Sequence, residues 1–377
     1  MRIIVFANSR PAHTGGAEKD FNILCERLSQ DGNTVLAIFP AARGTPEETI
    51  TDFEYVSLPG PNIRGYSLAI ADIVKIIKAF NPDVIHLADG LSPTDAILLL
   101  VIKINIRKPV FVNVIAFYRF SFFNFLARLT LPLYVLSDGV ICSISNMKKK
   151  VLRWTLKKAK ILNYYSEYLD VPEPFIKTDN RNVNGKCKLL SVGVLDSNHL
   201  YKGFDLLIEA LKYLHKNDVE SYQKIELNVV GDGDLRNYYE EEIKKCDLTG
   251  ISFKGRISAD NLINIYRNSD GLILPSKKKG EGFGKVVLEA LMNGTPVLIS
   301  KYAGAAFLAS EYNVGMLTDP YDSENFAEKI MEFIGAIEKR AYQNSIEKFQ
   351  KVFSHASEDA YNKLIHAYSE SIRHQRK

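Results

Sequence analysis

Cysteine is scarce in this 377-residue chain, and the four present, Cys25, Cys142, Cys187 and Cys246, fall at neither disulfide-type nor zinc-type spacing. That excludes a disulfide-stapled scaffold and a cysteine-based zinc module, and points to reduced thiols in a cytoplasmic protein. Long apolar runs are missing too. The longest, "AILLLVI" from Ala96, falls far short of the roughly 18 residues of a spanning helix. "MRIIVFANSR" has too short an apolar run for a signal peptide and reads as a first strand. No His/Asp/Glu cluster has metal-ligand spacing, so no catalytic metal is expected. Low-complexity segments and sequence-level repeats are absent. What is there, 46% hydrophobic and 24% charged residues, suits a soluble globular protein with full cores. The length suits two domains, or three.

Acid is nearly missing from one stretch. The net charge is only +4, yet residues 101–160 hold twelve Lys/Arg against one acid, Asp138, a local count of +11. Aromatics are interleaved in "AFYRFSFFNFLARLTLPLYVL" from Ala116. One reading is a helix with a buried aromatic face and a solvated basic face. The other is an interfacial surface for anionic lipid heads or a lipid-linked diphosphate, with Phe120, Phe122, Phe123, Phe125 and Leu126 entering beside Arg119 and Arg128. If those aromatics are core, only electrostatic contact through Lys148, Lys149 and Lys150 is left. Nothing resembles a nucleic-acid-binding motif, and no nucleic-acid partner is expected.

Short β-branched runs alternate with helical patterns along the chain. "RIIVFA" leads to the glycine turn "HTGGAEKD" and a helix from about Phe21 to Gln30; then come "TVLAIFP", "NPDVIHLA", "PVFVNVIAF" and "GVICSIS". The pattern restarts after about Lys186 with "CKLLSVGVL", the helix "GFDLLIEALKYLHK", "IELNVVGDG", a helix from Leu235, "ISFKG", a helix from Ala259, "GLILPS" and "PVLIS". This predicts an α/β chain of two parallel-sheet domains, since buried parallel strands read as continuous apolar runs. The domains are residues 1–170 and 187–355, with a polar, proline-bearing linker at 171–186 and a C-terminal helix at 356–377 crossing back to the first domain. In such sheets ligands bind at the carboxyl ends of the strands.

Three glycine-rich spots fall just after strands: "HTGGAE" with Gly15 and Gly16, "GDGD" from Gly231, and "GEGFG" from Gly280 to Gly284. In the third, Gly282 and Gly284 let backbone approach a ligand at a helix N-terminus, where an anion is favoured. The helix that follows, "KVVLEALM", has an ordinary apolar stripe of Val286, Val287, Ala290 and Leu291. The two carboxylates, Glu281 before it and Glu289 inside it, need their own explanation. As a structural pair, Lys285 and Glu289 are in the poorer order for an i,i+4 contact. As a glycosidase acid/base pair they are poorly spaced: eight helical residues rise about 12 Å, against roughly 5 to 9.5 Å between hydrolase carboxylates. Two hydroxyl-binding sites along one ligand fit better.

Glu281 and Glu289, set in "PSKKKGEGFGKVVLEALMNGTPVLIS", resemble the E-x7-E element of the retaining glycosyltransferases of family 4. "GGAE", "PDVIHL", "SVGVLDSNHLYKGFDLLIEAL", "LNVVGDGDL", "ISFKGRIS", "SDGLILPS" and "GTPVLIS" also follow that family's order. The resemblance implies the GT-B fold, two Rossmann-like domains facing across a cleft, and a nucleotide-sugar donor. It implies that Glu289 holds the ribose, and that Glu281 meets the donor sugar, with Phe283, Gly284 and Lys285 around sugar and diphosphate. Lys202 neutralises the diphosphate, Gly255, Arg256 and Ile257 form the base-binding loop, and Gly16 lies in the loop over the phosphates. Gly231 and Gly282 complete the donor-binding set.

There are two departures. Many members carry Arg where "SVGVL" has Val194, so one diphosphate cation is missing; His199, three residues before Lys202, is the candidate substitute, the alternative being a loop histidine. The usual N-domain histidine after the fourth strand is absent from "FVNVIAFYRF", leaving Asn113 or Tyr118 to occupy its place. His86 resembles a strand-end histidine and reads as core or as a support to the acceptor side, and Asp89 is the nearest free acid. The catalytic set is therefore Glu281, Lys202 and His199. The expected reaction is metal-independent, retaining hexosyl transfer to a glycan or lipid-linked acceptor in envelope polysaccharide or glycolipid synthesis. It needs no cofactor, and a UDP-sugar is favoured over a GDP-sugar as substrate. The expected location is cytoplasmic or peripheral on the inner membrane face. The alternatives are a degenerate sugar-nucleotide-binding subunit and a UDP-sugar 2-epimerase of the same fold.

Overall fold

The computed structural model describes residues 1–6, 16–40, 54–58, 70–88, 93–114, 131–142, 145–162, 171–177, 185–277 and 281–375. The chain divides into two compact units, Met1–Asp170 together with Ala356–Lys377, and Val171–His355.

In the first unit, strands β1 (Arg2–Phe6), β2 (Thr34–Pro40), β3 (Glu54–Leu58), β4 (Val84–Leu87), β5 (Val110–Val114) and β6 (Gly139–Cys142) form a parallel sheet in the order β3-β2-β1-β4-β5-β6. The apolar runs "IIVF" and "VFVNV" are strands because both faces are covered, and every residue of β4, β5 and β6 is buried. The first helix runs Gly16–Gln30, so Gly16 opens it rather than preceding it.

The C-terminal helix, Ala356–Gln375, packs into this unit. It buries Ala360, Tyr361, Leu364, Ala367, Tyr368 and Ser371, a stripe at helical spacing, in the core that holds Phe21, Leu24 and Phe111. Arg27 fixes its start through Ser357 Oγ (2.8 Å) and Glu358 (2.7 Å).

In the second unit, β7 (Cys187–Val192), β8 (Ile225–Val230), β9 (Ile251–Gly255), β10 (Gly271–Leu274), β11 (Val297–Ser300) and β12 (Gly315–Thr318) form a parallel sheet in the order β12-β11-β10-β7-β8-β9. Residues 171–177, expected as linker, pack on this unit. Phe175 N–H donates to the Met292 carbonyl (2.7 Å), Arg267 lies 4.2 Å over the Phe175 ring, and Lys177 Nζ donates to the Ser269 carbonyl. Phe175 is half-buried against Arg267 and carries the docking, while Ile176 stays exposed.

The helix Lys285–Met292 buries Val287, Leu288, Ala290, Leu291 and Met292, while Val286 is half-buried. The covered face is wider than a single stripe because the helices Ala259–Arg267 and Gln343–Phe353 flank it as well as the sheet. Among the described residues no helix is long and apolar enough to cross a membrane.

Candidate active site

The strand order of the second sheet turns back at β7 and β10, which run parallel, so the segments leaving their carboxyl ends lie side by side. Close backbone approach needs glycine here. Gly231 has φ +142°, and a Cβ on it would lie 1.8 Å from the Gly193 carbonyl oxygen. Gly193 N–H donates to the Val230 carbonyl and Gly231 N–H to the Gly255 carbonyl, each at 3.0 Å, lacing the ends of β7, β8 and β9 together.

After β7 the chain makes a short helical turn, Ser197–Lys202, capped by Asp196, whose side chain accepts from the N–H groups of Asn198 (3.0 Å) and His199 (2.9 Å). The same carboxylate oxygen lies 2.5 Å from His199 Nδ1. The turn ends at Gly203 (φ +75°), where a Cβ would lie 2.0 Å from the Pro275 carbonyl oxygen. That contact, with Lys277 N–H donating to the Tyr201 carbonyl (2.7 Å), presses the β7 and β10 segments together.

Lys202 thereby meets Glu281. Its Nζ donates to both carboxylate oxygens, at 3.1 and 2.8 Å, and Ser276 Oγ donates to Oε2 at 2.9 Å. The side chains are only 16% and 7% exposed. Burial pushes the Tyr201 hydroxyl well above its ordinary value, with Glu281 and Asp196 adding to the shift. Gly284 (φ +86°) opens the helix Lys285–Met292 with no side-chain cap, and space is open where a Cβ on Gly282 would stand. The carbonyls of Gly282 and Phe283 accept from Gly304 (2.8 Å) and Ala305 (2.7 Å) N–H, fixing the turn. Lys285 is half-buried at the helix start.

Glu289 lies one helical stretch further on and accepts from the buried Tyr266 hydroxyl at 2.8 Å. The loop of Gly255 (φ +68°), exposed Arg256 and half-buried Ile257 follows β9 at the same carboxyl edge. The second unit thus brings together Lys202, His199, Gly231, Glu281, Gly282, Phe283, Gly284, Lys285, Glu289, Arg256 and Ile257 at the carboxyl ends of its strands. Val194 is 42% exposed there and supplies no charge. Asp196, Ser276 and Tyr266 were missed. Pro275-Ser276 closes the quoted "SDGLILPS", which is the one signal that points to Ser276. A cavity of about 420 Å³ in the same unit, lined by Lys177, Cys187, Asp270, Pro296 and Gln350, lies instead at the amino ends of β7, β10 and β11.

In the first unit, Gly16 starts its helix. His86 is fully buried, with Nδ1 bonded to the Tyr368 hydroxyl and Nε2 3.0 Å from Asn113 Oδ1. Burial holds its pKa down at about 4, with the Asn113 contact opposing. His86 and Asn113 are core groups joining β4, β5 and the C-terminal helix. Asp89, Tyr118, Arg119, Arg128 and the aromatic run from Phe120 to Leu126 lie outside the described residues. Among the described residues no group of three His, Cys, Asp or Glu is placed to hold a metal ion.

Two family models match the chain. "Glycosyltransferase Family 4" spans residues 14–162, and "Glycosyl transferases group 1" spans residues 173–348. An uncharacterized glycosyltransferase of Methanocaldococcus jannaschii is 29% identical over 154 residues, 41% of each chain, so the match spans less than half of that relative. A GDP-mannose-dependent alpha-mannosyltransferase of Corynebacterium glutamicum is 24% identical over 89% of this chain and 80% of its own. The solved sucrose-phosphate synthase of Thermosynechococcus elongatus superposes with a TM-score of 0.74 at 18% identity, covering 97% of this chain and 99% of that one. The fold is GT-B, and each half of the chain matches a glycosyltransferase family model.

Proposed function

We propose that the protein is a retaining, metal-independent glycosyltransferase moving a hexosyl group from a nucleotide-sugar to a glycan or lipid-linked acceptor in envelope polysaccharide or glycolipid synthesis. The observation that carries this is the Lys202–Glu281–Ser276 cluster beside an uncapped helix N-terminus, one helical stretch from Glu289. Spacing along the helix Lys285–Met292 suits one extended ligand. Glu289 takes the ribose hydroxyls, the turn at Gly282 to Gly284 faces the diphosphate, and Glu281 takes the sugar hydroxyls. Lys202 and the helix dipole meet the charge that develops on the departing diphosphate, and His199 adds a donor where Val194 supplies none.

In the reaction the anomeric carbon–oxygen bond to the diphosphate breaks, and a new bond to the acceptor oxygen forms on the same face. The acceptor hydroxyl proton passes to the departing diphosphate oxygen. Same-face displacement is the chemistry that the family resemblance implies. A UDP-sugar is the favoured donor. A thermal-shift screen of UDP-, GDP- and ADP-sugars tests this. At 100-fold over Kd the true donor adds about 2.7 kcal/mol of stability; stabilisation by none of them contradicts a nucleotide-sugar donor.

The acceptor side is proposed to meet an anionic membrane surface. Arg153, Trp154, Leu156, Lys157, Lys158 and Lys160 are all exposed, with Leu156 at 77%, which puts aromatic, aliphatic and basic groups on one segment facing water.

A further inference from the structure

We propose that Tyr266 is a positioning residue that holds the Glu289 carboxylate for the nucleotide ribose. This rests on the reading that Glu289 binds that ribose.

The tyrosine is 1% exposed, so it touches no ligand itself. It stands on the helix Ala259–Arg267, and its hydroxyl reaches the next helix, donating to Glu289 Oε2 at 2.8 Å. Its own carbonyl accepts from the buried Thr295 Oγ1 at 2.6 Å, which anchors the tyrosine to the turn after the helix that carries Glu289. The next residue, Arg267, donates from Nε to Asn293 Oδ1 (3.0 Å), while Asn293 Nδ2 donates to the Glu289 carbonyl (2.9 Å). Main chain and side chain of Glu289 are thus both tied to one neighbouring helix.

A half-buried glutamate still loses rotamer freedom when it grips a ribose, and that loss weakens binding. A buried phenol fixes the rotamer in advance. A carboxylate has about four acceptor positions, and the tyrosine proton takes one of them. An apolar neighbour would fill the same volume, and a tyrosine hydroxyl buried against a ligand-facing acid is better explained by orientation than by packing.

The test is calorimetry with UDP, or whichever of UDP, GDP and ADP binds the full chain, and with its 2′,3′-dideoxy analogue. Tyr266→Phe keeps the ring. It should weaken the ribonucleotide about tenfold, the size of one hydrogen bond to a charged group. It should bind the dideoxy analogue as the wild type does, which also shows the variant to be folded, and it should add nothing in a Glu289→Ala background. Wild-type affinity of Tyr266→Phe, in a chain where Glu289→Ala alone weakens binding, overturns the positioning role and leaves the ribose role standing. Equal weakening of both nucleotides makes Tyr266 a packing residue and also overturns it. No effect of Glu289→Ala removes the ribose role itself, and the inference with it.

Discussion

Replacing Glu281 by Gln should do two opposite things to this protein, strengthening its hold on a nucleoside diphosphate while stopping transfer. The reason is the pair that Glu281 makes with Lys202. Two N–O contacts of 2.8 and 3.1 Å, on side chains 7% and 16% exposed, leave the lysine charge compensated before any ligand arrives. At about 3 Å and an effective dielectric near 20, the gross attraction is about 5 kcal/mol, and desolvation of two ions cancels much of it. Removing one partner strands the other, at about 3 kcal/mol. A cycle of Lys202→Met, Glu281→Gln and the double variant, read by urea unfolding, should therefore give a coupling of about 2 kcal/mol, the double variant being more stable than Lys202→Met alone. Calorimetry with UDP, GDP or ADP supplies the functional half. If Lys202 binds the diphosphate as proposed, Glu281→Gln should bind it severalfold tighter, about 1 kcal/mol, because the anion beside that cation is gone. The negative charge proposed to hold the sugar hydroxyls is lost, so transfer stops. A coupling under about 0.5 kcal/mol, together with unchanged diphosphate affinity, would refute the paired state of Lys202 in solution.

Other outcomes follow from the same geometry. Glu289→Ala should weaken nucleotide-sugar and free nucleotide alike, by about tenfold in calorimetry, whereas a loss confined to the sugar-bearing donor would reassign it. Transfer should persist in EDTA; activity abolished there and restored only by Mg²⁺ or Mn²⁺ would show the diphosphate site to be misassigned. The basic, partly apolar surface should bind anionic but not zwitterionic vesicles in co-sedimentation. Loss at high salt would indicate surface attraction, salt resistance would indicate inserted side chains, and no binding would favour a soluble acceptor. His86 is held at about 4 against an ordinary 6.5, so the unfolded chain takes up that proton first as pH falls. Its contribution is fully present above pH 6.5 and shrinks by about 2 kcal/mol by pH 5. Urea midpoints of His86→Gln should fall less than those of the wild type between pH 7 and pH 5, and parallel falls would reject the effect.

Ten of the twelve strands were legible because they are mostly apolar runs between turn residues, whereas the edge strands β3, "EYVSL", and β12, "GMLT", were not read, being short and broken by polar residues or glycine. "GEGFG" marked the start of the helix Lys285–Met292. The E-x7-E spacing singled out Glu281 and Glu289. It did not show that Lys202 grips Glu281, since the two lie 79 residues apart and meet because β7 and β10 are parallel neighbours in the sheet. Tyr266 was hidden for a similar reason. In sequence it is one more apolar position on an amphipathic helix, and only its hydroxyl, pointed at the next helix, separates it from core. The packing of residues 171–177 on the second unit was masked by their polarity and proline content. His86 showed as a strand-end histidine, but its partner Tyr368 comes from the far end of the chain, which spacing along the sequence does not reveal.

The most direct test is donor cleavage by the purified full-length chain, followed by proton NMR with the nucleotide-sugar that stabilises it. Without acceptor, slow hydrolysis should release the nucleoside diphosphate and a sugar whose first-formed anomer matches the donor, and Glu281→Gln should abolish it. An intact donor over the same period, in a chain that still binds the nucleotide, would contradict catalysis and leave a sugar-nucleotide-binding subunit. A first-formed anomer of the opposite configuration would contradict retention.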